Sequence, residues 1–326
     1  MKPARDDSFD ALRGALILLV VLGHYLEIIP SWGWQKSLNP PILISHTLLS
    51  FFYITHIPCL VFLSGLWFNP NKALWRVRRL FGYYLLFQTL YVACHYLLRD
   101  LYHLEHLTFI VPYWLLWFLM ALMLWHTLTL VLLKIPTLKA LWLLLSLMAG
   151  YAIAFLPTPA HHLYFSIGRV MVFLPLFLLG AFYGQTILET VKHLPKALCI
   201  GLLLMLPVVL HSFPQYEMWF FGRANAYEHH EDLMGVLKIQ SALWALSFIS
   251  IICLLRLRHH LWRGFILWGM GSFAIYLLHG LAIEILRAYF MVHDFPLADP
   301  ILSLLVAWVF SVLICHLAVK AKLIRL

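Results

Sequence analysis

The sequence has little charge. Only 11% of its 326 residues are Asp, Glu, Lys or Arg, whereas 63% are hydrophobic. A soluble globular chain has about 25% charged and about 45–50% apolar residues. In water, a chain of this composition would expose large apolar patches, and such patches aggregate. The composition therefore excludes an ordinary water-soluble fold and indicates that the solvent is a lipid bilayer.

The sequence also lacks paired cysteines, linkers and clustered positive charge. Its five cysteines lie in or beside apolar segments without paired spacing, which argues against a disulfide framework or a metal site. The net charge of +9 is spread along the chain, which argues against a nucleic-acid partner. No Pro/Gly/Ser-rich linker separates two halves, and no small-residue cleavage site follows the first apolar stretch. We therefore expect residues 1–326 to form a single transmembrane domain without an additional soluble domain.

Long apolar stretches run through the whole chain. A helix needs about 20 mostly apolar residues to cross a bilayer. The candidate segments lie near residues 12–30, 42–68, 80–98, 113–133, 139–157, 166–186, 197–213, 236–255, 266–286 and 300–319. The second segment is long enough to tilt or break, and Pro58 marks a place for a break. The sequence therefore predicts an all-α polytopic membrane protein with about ten transmembrane helices.

Lysine and arginine fall mainly on one predicted side of the membrane. Cytoplasmic loops are enriched in these residues. With the N-terminus inside, the cytoplasmic side receives Lys2, Arg5, Lys72, Arg76, Arg78, Arg79, Lys134, Lys139, Lys192, Lys196, Arg256, Arg258, Arg263, Lys320, Lys322 and Arg325. Only an even number of spans keeps this bias, so we expect both termini to be cytoplasmic.

Ionisable residues interrupt the first apolar segment. Each such residue inside a span costs about 2.5–3.5 kcal/mol on insertion scales, so it needs a partner, water or a function. Asp10 and Arg13 lie three residues apart at the inner edge, where they can form an ion pair. His24 lies deeper, on nearly the same helix face as Arg13 and about 16 Å further along the axis. The ion pair explains Asp10 and Arg13, but it leaves His24 as either a hydrogen-bonded packing residue or a candidate catalytic base.

Basic and aromatic residues elsewhere add two candidate binding sites. Arg76 and Arg79 lie three residues apart on the cytoplasmic side. Loop topology explains their charge, but planar guanidinium groups also suit phosphate. Trp117 lies in an aromatic run at the outer end of the fourth segment, where an interfacial belt explains it as well as a sugar-stacking site does.

A second set of ionisable residues lies in the ninth segment. His279 is near its middle, and Glu284 and Arg287 follow. An imidazole and a carboxylate in one membrane helix are difficult to explain by packing alone. We therefore count His279 and Glu284 among the candidate residues that contact or support a substrate.

Together these motifs resemble those of acyltransferase family 3, a family of integral membrane O-acyltransferases. Phe9-Asp10-Ala11-Leu12-Arg13-Gly14 through His24 is similar to its Asp-x-x-Arg-Gly opening with an Arg-x10-His motif. The segments from His56 to Gly65, from Arg76 to Arg79 and from Gly271 to His279 resemble further family motifs. Trp117-Phe118-Leu119 most resembles the fucose 4-O-acetylase-like branch. Many other members carry a Glu where this chain has Leu122.

The resemblance implies an O-acyltransferase that uses a cytoplasmic acyl-CoA, usually acetyl-CoA, and an acceptor that is often an envelope glycan. It implies no metal. Under this interpretation His24 acts as the base or relays the acyl group, Arg13 with Asp10 orients the donor, and Arg76 and Arg79 bind phosphates. Trp117, His279, Glu284 and His56 then contact or support a substrate. The resemblance further implies a bacterial inner-membrane protein.

Two other classes of membrane protein also contain buried ionisable residues. A proton-coupled transporter or flippase places such residues along its pathway. Transporters often consist of two similar halves, and this sequence has no internal repeat. A sensory or scaffolding protein can instead pair buried charges between helices. The residues alone leave these alternatives open.

Overall fold

The computed structural model describes residues 6–28, 40–99, 108–155, 164–213, 217–222, 226, 231–292 and 300–320. Within these ranges the regular structure is helical, and no residue lies in a strand. The α-helices are α1 (Asp7–Ile28), α2 (Pro40–Leu66), α3 (Pro70–Arg99), α4 (Trp117–Leu132), α5 (Lys139–Ala152), α6 (Ile167–Val191), α7 (Lys196–His211), α8 (Glu217–Phe220), α9 (Leu233–Leu257), α10 (Phe265–Met270), α11 (Ser272–Val292) and α12 (Pro300–Lys320). The prediction of an all-α fold is therefore confirmed for the described part of the chain.

Several helices are long and apolar enough to cross a membrane. Six described stretches meet this condition: Asp7–Glu27, Thr47–Leu66, Trp114–Leu132, Pro136–Phe155, Tyr164–Val191 and Leu233–His260. Two shorter apolar helices, Lys196–His211 and Leu304–Lys320, accompany them. The protein is thus a multi-pass membrane protein, while the number of about ten spans stays a prediction. Residues 1–5 and 321–326 lie outside the described residues, and the cytoplasmic location of both termini also stays a prediction.

Two predicted segments differ from the observed helices. The segment 266–286 is not continuous, because α10 ends at Met270 and α11 begins at Ser272. Gly271 lies between them, and glycine is a poor helix former. In the second segment, by contrast, Pro58 does not end α2. A proline inside a membrane helix is tolerated when neighbouring groups satisfy the freed backbone carbonyl.

The helices form two compact units. The first unit comprises Met1–Ile57, Val191–Pro214 and Ile249–Leu326, and the second comprises Pro58–Thr190 and Gln215–Phe248. In the first unit α1 packs against α10, α11 and α12. Its inward face is apolar, with Leu12, Val21 and Leu26 fully buried. This packing places the inward face of α1, which carries His24, inside the unit.

Two glycines allow α1 and α10 to cross with their backbones in close contact. A Cβ atom at Gly14 would overlap the carbonyl oxygen of Phe265, and one at Gly269 would overlap the carbonyl oxygen of Asp10. Small residues have this function in many membrane helix pairs, because lipid provides no hydrophobic force that would drive helices together. The crossing therefore fixes the N-terminal end of α1, where Asp10 and Arg13 lie.

Tryptophan side chains hold α6 in the second unit. Pro175 lies inside this helix and lacks the N–H that would complete the hydrogen-bond ladder. The indole N–H of Trp125 donates to the carbonyl of Val170 at 2.9 Å, and that of Trp244 donates to Val172 at 2.8 Å. Buried indoles need such acceptors. The preceding turns of α6 are thus tied to α4 and α9.

A buried amide shapes the chain before α4. The side-chain amide of Gln88 donates to the carbonyls of Thr108 and Val111 at 3.1 and 2.9 Å. Its oxygen accepts from the backbone N–H of Tyr113 at 2.8 Å. These bonds anchor the residues that lead to Trp114, whose φ of +34° is unusual for a non-glycine residue.

The glycine crossing gives a first prediction. Gly269→Ala places a methyl group against the Asp10 carbonyl and should destabilise the protein by about 1–3 kcal/mol, the usual cost of overpacking. Gly82→Ala is the matched control, because nothing lies within 4 Å of a Cβ at Gly82 and alanine favours a helix. Thermal unfolding in detergent measures both variants. Equal stability of the two would contradict the close crossing.

Candidate active site

His24 lies in a buried polar cluster of the first unit. Its Nδ1 is 3.1 Å from the hydroxyl oxygen of Tyr53 and 3.3 Å from Oε2 of Glu27. The Tyr53 hydroxyl also donates to Oε1 of Glu27. His24 is 9% exposed and Tyr53 is 3% exposed. One nitrogen of the His24 ring is therefore held by two oxygen atoms.

A second imidazole stacks on the first. The rings of His24 and His279 are nearly parallel, with centroids 5.6 Å apart and planes at 24°. His279 is fully buried, and its Nδ1 lies 2.9 Å from the carbonyl oxygen of Ile275. Because a carbonyl only accepts, this Nδ1 carries the proton and Nε2 has the lone pair. Within the described part of the chain, Nε2 of His279 is buried without a hydrogen-bond partner.

His56 completes what we call the histidine cluster, His24, His56 and His279. It lies one helical turn beyond Tyr53, and the two ring centroids are 5.0 Å apart. Tyr53 therefore contacts both His24 and His56. His56 is 1% exposed, and its Nδ1 has no hydrogen-bond partner among the described residues. His24 thus contacts Glu27, Tyr53 and the His279 ring, and Tyr53 in turn contacts His56.

The histidine cluster does not have the arrangement of a metal site. Across the described ranges, no group of three or more His, Cys, Asp or Glu residues could hold a metal ion. The His24 and His279 rings instead lie face to face. Such rings can accept and return protons, which is the chemistry of general acid–base catalysis.

Asp10 and Arg13 form the ion pair that their spacing predicts. Nη2 of Arg13 donates to Oδ1 of Asp10. The Asp10 side chain is 1% exposed, whereas that of Arg13 is 32% exposed. The carboxylate therefore lies inside the unit, and part of the guanidinium group stays accessible. Arg13 and His24 share α1, but about 16 Å of helix axis separates them.

Glu284 forms its own ion pair with Arg287. The carboxylate and guanidinium groups are 3.1 Å apart, and Glu284 is 1% exposed. Glu284 follows His279 by five residues, which corresponds to a rotation of about 140° around the helix. The structure therefore pairs Glu284 with Arg287 on a face of α11 other than the face that carries His279.

Arg76 and Arg79 lie in the first turns of α3, in the second unit. Nη1 of Arg76 donates to the carbonyl of Trp67, just beyond the end of α2, at 2.8 Å. Burial lowers the pKa of Arg76 from its ordinary value. The guanidinium of Arg79 lies over the Trp75 ring at 5.2 Å and near Tyr83. Both arginines are half-buried, and both hold planar donor groups at one end of a helix.

Trp117 is buried in the second unit. Phe173 stacks on its ring with centroids 5.9 Å apart, and the guanidinium of Arg169 lies 4.9 Å from the ring centroid. The indole is 5% exposed. In this conformation the faces of the Trp117 ring contact protein groups. This geometry favours a role for Trp117 in holding Arg169 in place over direct stacking with a sugar.

Sequence reasoning missed three polar residues of these sites. It assigned no role to Glu27, Tyr53 or His126. His126 is 4% exposed in α4 and lies one turn beyond Leu122. Its Nδ1 donates to the Leu122 carbonyl at 2.8 Å, and its ring packs on Phe177. The signal that could have identified His126 is its position as an isolated histidine inside an apolar segment.

Comparison with known families identifies the class of protein. The chain has the helices of a multi-pass membrane protein and a buried cluster of proton-accepting groups. The family model described as an acyltransferase domain, Acyl_transf_3, matches residues 6–320. The chain belongs to this acyltransferase 3 family, whose members are membrane acyltransferases. No curated protein and no solved structure matches it.

The burial of Trp117 gives a second prediction. Trp117→Ala should destabilise the protein by about 3–5 kcal/mol, because it leaves a cavity between Phe173 and Arg169. Trp262→Ala is the control, since Trp262 is 66% exposed and should change stability by less than about 0.5 kcal/mol. Denaturant or thermal unfolding measures both. Unchanged stability of Trp117→Ala together with weaker acceptor binding would instead make the indole a sugar-binding platform.

Proposed function

We propose that this acyltransferase moves an acetyl group from acetyl-CoA to a hydroxyl group of a cell-envelope glycan. The observation that carries the proposal is the buried His24 imidazole, stacked on His279, in a chain of the acyltransferase 3 family. The Trp117-Phe118-Leu119 motif supports placement in the fucose 4-O-acetylase-like branch, and therefore a carbohydrate acceptor. The excess of Lys and Arg on one predicted side supports a cytoplasmic donor in a bacterial inner membrane.

The proposed reaction uses His24 as general base. The acceptor hydroxyl oxygen attacks the carbonyl carbon of the thioester while its proton moves to His24. The carbon–sulfur bond then breaks, and the coenzyme A thiolate takes the proton from the imidazolium. The products are the acyl ester and free coenzyme A, and His24 returns to its neutral form. Such assistance typically contributes about 10²–10⁴-fold to the rate.

Other residues bind and orient the two substrates in this proposal. Arg13, held by Asp10, orients the donor, and Arg76 and Arg79 bind coenzyme A phosphates through guanidinium forks. His279 and His56 contact the acceptor hydroxyl or the thioester beside His24.

Two of the predicted residues have supporting roles in this proposal. Glu284 with Arg287 supports α11, and Trp117 holds the Arg169 guanidinium over its ring. The reaction requires no metal.

The third prediction tests the proposed activity and its base together. Inside-out membrane vesicles that contain the protein should transfer label from the acetyl group of acetyl-CoA to glycan. His24→Ala should lower this transfer about 10²–10⁴-fold or more, because the base is lost. His193→Ala, which replaces an exposed histidine in the same unit, should retain normal transfer.

The outcomes of this assay separate the classes of protein. Uptake of an unmodified solute without labelled glycan would indicate a transporter. Full activity of His24→Ala, with normal insertion into the membrane, would remove His24 from the mechanism. Mass spectrometry of the labelled glycan identifies the acyl group and the acceptor sugar.

The fourth prediction concerns the donor site. Arg76→Ala combined with Arg79→Ala should weaken coenzyme A binding about 10–100-fold, because hydrogen bonds between charged groups are lost. Arg78→Ala is the matched control, because Arg78 is exposed between the two in the same helix. Calorimetric titration of the purified protein in lipid nanodiscs measures the dissociation constants. Equal affinities in all variants would leave Arg76 and Arg79 with a role in topology only.

A further inference from the structure

Glu27 is a buried carboxylate to which the proposed mechanism gives no role. It lies three residues after His24 in α1, and its side chain is 9% exposed. A carboxylate inside a membrane helix is costly and is retained when it has a partner or a function. Both of its oxygen atoms have polar contacts: Oε2 faces Nδ1 of His24 at 3.3 Å, and Oε1 accepts a hydrogen bond from the Tyr53 hydroxyl. Glu27 is therefore aimed at the ring of the proposed base.

The positions of the protons follow from these contacts. An ionised carboxylate can only accept hydrogen bonds, and a tyrosine hydroxyl has a single proton. The proton of Tyr53 goes to Glu27, so the Tyr53 oxygen, 3.1 Å from Nδ1 of His24, can only accept there. Both oxygens that face Nδ1 are thus acceptors, and Nδ1 must carry the hydrogen. In a neutral imidazole this leaves the lone pair on Nε2.

We infer that Glu27 and Tyr53 are positioning residues that hold His24 in the tautomer whose Nε2 accepts the proton of the acceptor hydroxyl. This inference rests on the proposed function. Glu27 orients the ring and stabilises the imidazolium that forms during the reaction, and Tyr53 holds the carboxylate in place. The stacked His279 ring restricts rotation of the imidazole from one side. Carboxylates that orient catalytic imidazoles are known from Ser-His-Asp triads.

Glu27→Gln tests the carboxylate with little change in shape. Its amide N–H₂ group can donate to Nδ1 and so favours the opposite tautomer. We expect kcat to fall about 10²–10⁴-fold, as for the comparable substitution in triads, while the KM for acetyl-CoA changes less than about threefold. Glu189→Gln makes the same chemical change at an exposed position of α6 and should leave kcat unchanged.

Tyr53→Phe and Glu27→Asp separate positioning from general stability. Tyr53→Phe removes the hydroxyl that holds the carboxylate, and kcat should fall about 10–100-fold. Tyr151→Phe, which removes a hydroxyl hydrogen-bonded to Ser241, is its control and should leave kcat unchanged. Glu27→Asp keeps the charge and should retain more activity than Glu27→Gln, although both alter a buried site.

Ring-nitrogen NMR of histidine-labelled protein reports the tautomer directly. The His24 signals are those lost in His24→Ala. In the wild-type protein they should show a protonated Nδ1 and an unprotonated Nε2. In Glu27→Gln the proton should move toward Nε2. A role in packing alone would leave this distribution unchanged.

The results distinguish failure of this inference from failure of the proposed function. Absence of acyl transfer by the wild-type protein, or full activity of His24→Ala, would overturn the proposed function. An active wild type and an inactive His24→Ala, with normal kcat in Glu27→Gln, would overturn only the role of Glu27. If Glu27→Gln does not insert into the membrane, the kcat of Tyr53→Phe and the His24 tautomer seen by NMR in the wild-type protein test the inference instead. Normal kcat in Tyr53→Phe, or an unprotonated Nδ1 of His24 in the wild-type protein, contradicts the inference.

Discussion

Lipid cannot solvate charge, and the polar part of this protein is arranged accordingly. Three pairs of ionisable residues each lie one turn apart in the same helix: Asp10 with Arg13, His24 with Glu27, and Glu284 with Arg287. Such a pair enters the membrane together, which lowers the cost of burying either member. Tyr53, from another helix, is a further polar partner of both His24 and Glu27. The resulting network lies where α1 meets α2 and α11 of the first unit.

Close packing of backbones makes this network possible. The glycine contacts bring the N-terminal end of α1 against α10 without intervening side chains. The break at Gly271 then lets α11 start as a separate helix, which carries His279 to the ring of His24. A bulky residue at the crossing would affect both ends of α1, because a helix transmits a shift along its axis. The packing of small residues and the placement of the imidazoles are therefore parts of one arrangement.

Much of the fold, and one part of the candidate site, could be predicted from the sequence. Apolar length predicts the helices, and the spacing of Asp10 and Arg13 predicts their ion pair. Helical periodicity also places Arg13 and His24 on one face, but it gives no information about contacts between helices. Tyr53 and His279 are far from His24 in the sequence, so their contacts with it depend on tertiary packing. For the same reason, the burial of Trp117 under Phe173 and Arg169 could not be distinguished from an interfacial aromatic belt.

The contact between the Tyr53 hydroxyl and Glu27 has a consequence for how acceptor preference can vary. The two oxygens described beside Nδ1 of His24, those of Glu27 and Tyr53, both belong to the first 57 residues of the chain. Under the proposed function, side chains of later helices other than His279 can thus be exchanged to suit a different acceptor while these two oxygens keep their contacts with His24.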